Sequence, residues 1–179
     1  MTNKYLFTAF SRDRVGIVAD ISRVIYENGY NLEDSSMTYL ADEFAILLLL
    51  SASPAVPEEE VMEKLAAECR RLEREKNITA YIRPASKEHH EPGNGSVHRT
   101  ISVEGLDQTG IVYRISSFLA EFGINIRTLD SKIRQSPQSG ASLYSMTIHV
   151  DIPENLSLQN VEEGLGAIGD RLNVDVTIS

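Results

Sequence analysis

Residues 13–32, DRVGIVADISRVIYENGYNL, return as residues 107–126, DQTGIVYRISSFLAEFGINI, at a constant offset of 94 residues and without a gap. Asp13, Gly16, Ile17, Val18, Ile21, Ser22, Glu27, Gly29 and Asn31 recur as Asp107, Gly110, Ile111, Val112, Ile115, Ser116, Glu121, Gly123 and Asn125. Such a repeat constrains the fold more than composition does, because each copy must build the same unit. The period is too long for a solenoid and suits two copies of one small domain, each of about 85 residues, enough for a modest core. The expected division is 1–83 as the first domain, 84–96 as a linker and 97–179 as the second domain.

Each copy reads in the same order. Tyr5–Phe10 is rich in aromatic and β-prone residues and runs into the polar stretch Ser11–Arg14, which predicts a strand and then a loop. Asp13 is placed to cap a helix whose stripe is Val15, Val18, Ile21, Val24 and Ile25, with Gly29 as its left-handed stop. Asn31–Leu40 and Glu43–Ala52 read as strands joined by a tight turn at Ala41 and Asp42. Pro57 followed by Glu58, Glu59 and Glu60 starts a second helix. Val61, Leu65, Cys69 and Leu72 are its apolar stripe, and Asn77–Arg83 is a last strand. Pro84–Ser96 is rich in turn formers and reads as the linker.

In the second half the expected elements are Val97–Gly105, Thr109–Phe122, Ile124–Gln135, Ala141–Asp151, Leu156–Ile168 and Leu172–Ile178. Gly164 and Gly166 lie inside the last helix, each at a cost of about 1 kcal/mol against alanine. The order βαββαβ predicts an α+β fold: two ferredoxin-like domains in tandem, each a four-stranded antiparallel sheet with both helices on one face.

Composition narrows the function. The apolar share of 42% with 24% charged residues is that of a globular protein. The longest apolar run, Phe44–Leu50, has seven residues, far short of the roughly 20 needed to cross a bilayer. No signal peptide is expected, and the cytoplasm is the expected location. The net charge of −9 is shared: Met1–Arg83 holds 10 basic and 14 acidic residues, the remainder 7 and 12. Neither half offers a basic face for a phosphate backbone, so no direct nucleic-acid contact is expected. Tyr5, Phe7 and Phe10 in the first strand are placed as stacking aromatics would be in an RNA-binding sheet, but the accompanying basic residues are missing.

Signals for catalysis fail. His89 and His90 stand between Glu88 and Glu91 in the polar linker, where ligands lack the rigid support a metal site needs. Cys69 falls on an apolar helix face and reads as a small hydrophobe. His98 and His149 lie in different strands without a serine or cysteine partner, and no P-loop, dinucleotide fingerprint or nucleophile motif occurs. No enzyme activity, metal or cofactor is expected.

The loop before the first helix of each copy carries the remaining chemistry. Gly16 and Gly110 remove a side chain beside backbone N–H groups that have no partner within the helix, where an anion can approach. Asn31 and Asn125 can donate and accept, and Asp13 and Asp107 can meet an ammonium group. An α-amino acid zwitterion needs these groups. Equally, the aspartates could cap helices, the glycines could permit close helix–sheet packing and the asparagines could hold a turn. Asp13–Gly16 and Asn31 are expected to be brought near each other by the fold. With Arg12 and Arg14 flanking Asp13, against Leu106 and Gln108 flanking Asp107, the first site is the more cationic and is expected to be the stronger.

The pattern D-x-x-G-I-V followed by G-x-N, in both halves, resembles the ACT domain, a small ligand-binding module of amino-acid regulation. The resemblance implies effector sites at Asp13, Arg14, Val15, Gly16 and Asn31, and at Asp107, Gln108, Thr109, Gly110 and Asn125, often completed across an interface between two such domains. It also implies a small amino acid such as glycine as effector and a regulatory protein as partner. A homodimer is one arrangement such a chain can adopt. The alternatives are a structural adaptor without a working ligand site and a module acting in trans on a metabolic enzyme.

Overall fold

The computed structural model describes residues 3–85, 95–137 and 140–179. The chain divides into two compact units, Met1–His89 and His90–Ser179. In the first, β1 (Asn3–Arg12), α1 (Ile17–Glu27), β2 (Asn31–Leu40), β3 (Glu43–Ala52), α2 (Glu58–Lys76) and β4 (Thr79–Pro84) follow in order. The second repeats it with β5 (Ser96–Leu106), α3 (Ile111–Glu121), β6 (Asn125–Gln135), β7 (Ser142–Pro153), α4 (Leu158–Leu172) and β8 (Val174–Ile178). Each unit is an antiparallel sheet, in the order β2-β3-β1-β4 and β6-β7-β5-β8. This is the expected α+β, βαββαβ architecture in tandem. Pro84 and Ser96 belong to strands, and residues 86–94 of the expected linker, with His89 and His90, lie outside the described residues.

Strand alternation builds each core. Tyr5, Phe7 and Ala9 of β1 and Phe44, Ile46, Leu48 and Leu50 of β3 are buried against Ile21, Val24 and Ile25 of α1 and Val61, Leu65 and Cys69 of α2. Burial pushes the Cys69 thiol up to about 11, so it is a buried hydrophobe rather than a thiolate. Each first helix ends in a Schellman motif: Gly29 at φ 72 and Gly123 at φ 66 take the left-handed position, with Tyr30 N–H donating to Ile25 and Ile124 N–H to Leu119.

Two expectations need correction. The stripe does not begin at Val15: α1 starts at Ile17, Val15 is fully exposed and Val18 is 43% exposed. The buried phase is Ile17, Ile21, Val24, Ile25 because Gly16 holds a left-handed φ of 89 that no helical residue adopts. The last helix does not stop at Ile168 but runs to Leu172, capped by the Ser157 side chain accepting from Asn160 N–H. Two of its glycines, Gly164 and Gly169, serve close packing, which offsets the helix cost that the sequence assigns to Gly164. A Cβ on Gly164 would lie 2.5 Å from the Phe118 ring, and one on Gly169 2.7 Å from the Val174 carbonyl.

The β2–β3 turn holds Ala41 at φ 50 and Asp42 at φ 65, a two-residue turn with both central residues left-handed. Alanine is strained there. Ala41→Asn is expected to raise the stability of the first unit by about 0.5–1 kcal/mol, which chemical denaturation would measure.

Candidate functional site

The loop between β1 and α1 is built by two constraints. The Asp13 N–H donates to the Asp42 carbonyl at 2.9 Å, tying the loop to the β2–β3 turn, and Asp107 N–H does the same to Ser142. Gly16 and Gly110 then turn the chain at φ 89 and 96. Neither aspartate caps a helix: the N-cap residues are Gly16 and Gly110, without a side-chain cap. Nor do these glycines permit close packing. A Cβ at Gly16 would meet nothing within 4 Å, and one at Gly110 only Arg114 Nε at 4.0 Å. What requires glycine is the positive φ.

The first backbone helical bond of α1 is Asp20 N–H to the Gly16 carbonyl, so Val18 and Ala19 N–H groups have no acceptor among the described residues. Arg114 N–H to Gly110 sets the same start in α3. Each loop therefore presents unpaired N–H groups at the positive end of a helix, with a free approach. In the first unit they open into a depression of about 700 Å³ whose floor is Met37 of β2 and Phe44 of β3. Asp13, Arg14, Val15 and Gly16 line it.

The two sites differ in an unexpected way. Arg14 is committed to Asp20 at 2.7 Å, and Lys76 reaches the same carboxylate at 3.3 Å. The Arg14 hydrogen bond, assisted by Lys76, holds the Asp20 carboxyl below its ordinary value. In the repeat, Gln108 stands for Arg14 and donates to the Leu172 carbonyl at the end of α4. Arg114 stands for Asp20 and has no carboxylate within 4.0 Å among the described residues. The Arg14 guanidinium, half of the extra charge expected at the first site, is thus paired with a carboxylate.

Because the folded Asp20 pKa is lowered, its stabilisation is fully present above the unfolded carboxylate value of about 4 and is lost as pH falls through the folded value. Asp20→Asn is expected to remove that acid-range component from a stability-against-pH series of the first unit.

The asparagines lie elsewhere. Asn31 is opposite Ser51, which pairs with Lys4 at the start of β1, whereas Leu40 is opposite Glu43, which pairs with Arg12. Asn31 therefore sits at the other end of the sheet from the Asp13–Gly16 loop, nine strand residues or roughly 30 Å away. Asn125, opposite Asp151, is at the matching end of the second sheet. The expected nearness of loop and asparagine within one domain is overturned. The helix and its flanking loops carry the chain back along the sheet, so β2 starts level with the start of β1 and the loop and the asparagine end up at opposite poles.

A feature missed by sequence reasoning is the bulge after each asparagine. Register shifts at Leu32/Asp34 and Ile126/Thr128 leave Glu33 and Arg127 unpaired in their strands. Glu33 and Arg127 differ in kind, so no signal for the bulge lay in the sequence. Glu33 meets Lys4 at 2.7 Å, and Arg127 Nε donates to Asp151 at 2.7 Å.

Comparison with known proteins agrees with this architecture. The ACT domain profile matches residues 5–81 and again 99–165. The glycine cleavage system transcriptional repressor of Escherichia coli (strain K12) is 28% identical over 176 residues, covering 97% of this chain and 88% of that protein. A UPF0237 protein of Neisseria meningitidis serogroup A is 32% identical over 71 residues, 39% of this chain and 79% of its own length. Among solved structures, an unknown protein from Galdieria sulphuraria aligns with a TM-score of 0.82 at 27% identity, over 100% of this chain and 98% of that one.

Proposed function

Since the chain belongs to the ACT domain family, in two consecutive copies, we propose that it is a non-catalytic amino-acid-binding regulator acting in the cytoplasm through a protein partner. The observation that carries this reading is the loop at each first helix. Its glycine is kept for a left-handed turn with open space beside it, and its N–H groups lack acceptors. A packing glycine would not have open space beside it, and a side-chain cap would have covered the N–H groups. The α-carboxylate of a small amino acid is assigned to these N–H groups, and the ammonium to the exposed Asp13 or Asp107 carboxylate, neither of which has a hydrogen bond or ion pair among the described residues.

Likeness to a glycine cleavage system transcriptional repressor over nearly the whole chain supports glycine, or an amino acid of similar size, as the effector and transcription as the process regulated. The acidic balance of −9 supports action through a partner protein rather than on DNA. Since Asn31 and Asn125 stand far from the loop of their own domain, each can serve a ligand at that loop only from a second copy of the chain, as in a homodimer. Regulation then follows if the ligand prefers one arrangement of the domains.

A thermal-shift series separates this from an adaptor without a ligand site. The wild-type chain is expected to melt higher with its amino acid, and Asn31→Ala with Asn125→Ala to lose most of that gain while keeping the ligand-free melting point. An undiminished gain in the double variant removes the asparagines from the site.

A further inference from the structure

We propose that the second unit binds the phosphate group of a small phosphorylated metabolite through Arg127, His98 and His149, on the sheet face turned away from its helices. His98 and Thr100 alternate along β5 with buried Ile101, and His149 and Asp151 along β7 with buried Ile148 and Val150. These four residues therefore share the outer face. Arg127, freed from strand pairing by the bulge, reaches across to it.

Asp151 organises the cluster. It is only 7% exposed, accepts from Arg127 Nε at 2.7 Å through one oxygen and faces His98 Nδ1 with the other. Burial works to raise its carboxyl, but Arg127 and His98 outweigh it and hold the group below its ordinary value. With Nε donating to Asp151, both terminal amino groups of Arg127 have no acceptor among the described residues, and Nε2 of His98, whose Nδ1 faces Asp151, has no partner there and becomes a donor when the ring is protonated. His149 engages Thr100 through Nδ1 at 3.1 Å, which leaves its Nε2 likewise. His98, Thr100, Arg127 and His149 line a cavity of about 310 Å³, within the size range of small-ligand pockets. Arg99, whose guanidinium donates to the His98 carbonyl, adds a cation at its rim, and Ser179 closes one side by strand pairing with Thr100.

The fold does not demand this cluster. At the same positions the first unit has Lys4, Leu6, Glu33, Leu49 and Ser51 in place of His98, Thr100, Arg127, His149 and Asp151. There the bulge residue is an acid that neutralises Lys4 at 2.7 Å, and the walls are leucine. Arg127 and Arg99 stand against the single carboxylate of Asp151, a local cationic excess in a chain of net charge −9, and a field of this sign concentrates anions. A guanidinium edge with two imidazoles, each a donor at Nε2 in its protonated form, offers donors from several directions, which suits a tetrahedral oxyanion better than a planar carboxylate.

The test is titration of the full chain with inorganic phosphate at constant ionic strength, read by NMR at the His98 and His149 rings and at Arg127 Nε. Saturable shifts are expected at all three. Arg127→Gln is expected to weaken binding by about tenfold to a hundredfold, and Arg127→Lys, which keeps a cation beside Asp151, by less. His149→Gln, which leaves the Asp151 contacts intact, is expected to weaken binding too, and Lys4→Gln in the first unit to leave it unchanged. Absence of saturable shifts at these groups, full affinity in a folded Arg127→Gln, or shifts confined to the loops before α1 and α3 would overturn the proposal.

Discussion

Gly169→Ala is expected to lower the stability of the second unit by about 1–3 kcal/mol, whereas Gly166→Ala, three residues earlier on the same helix, is expected to raise it by up to about 1 kcal/mol. The opposite signs follow from what each new methyl group would meet. At Gly169 it would lie 2.7 Å from the Val174 carbonyl and 3.1 Å from Val176, so the end of α4 and β8 would have to separate. At Gly166 nothing lies within 4 Å, and only the helix preference remains. In a unit of this size 1 kcal/mol moves the melting temperature by about 4–8 °C, so calorimetry resolves both. Equal effects at the two positions would mean that α4 does not approach β8 as closely as described.

Gly16→Ala is the second large effect, and it separates folding from function. Its φ of 89 costs a side chain about 1–2 kcal/mol even though the space around it is open. The strain is relieved only by moving the loop whose N–H groups are assigned to the ligand carboxylate. Gly29→Ala carries a comparable strain at φ 72, but at the far end of α1. Both variants are expected to melt lower by similar amounts, while Gly16→Ala alone loses about tenfold or more in amino-acid affinity at the first site. A loss of the same size in Gly29→Ala would attribute the effect to general destabilisation.

The unit and its order were legible because duplication marks what both copies need. Ile21, Val24 and Ile25, the stripe of α2 and the stops at Gly29 and Gly123 all follow from periodicity and backbone preference. The candidate loops were legible as residues but not as geometry. A D-x-x-G pattern before an apolar run reads as a cap followed by a helix, and only the observed φ of Gly16 shows that the helix starts after the glycine, leaving Val15 exposed. Asn31 looked close to Asp13 because a helix and a turn separate them in the chain. The register shows that β2 starts beside the start of β1, at the opposite end of the sheet from the loop. Likewise a glycine that breaks a helix and one that lets a neighbour approach look alike in sequence. Phe118 against Gly164 and Val174 against Gly169 distinguish them in space.

The central claim is that the loop N–H groups of the ACT domains receive a small amino acid. Isothermal titration of the full chain against each of the twenty amino acids, glycine first, tests it most directly. Saturable heat with glycine or a close relative, diminished in Gly16→Ala or in the matching Gly110→Ala, is the predicted result. Silence from all twenty, with the chain folded, would contradict it.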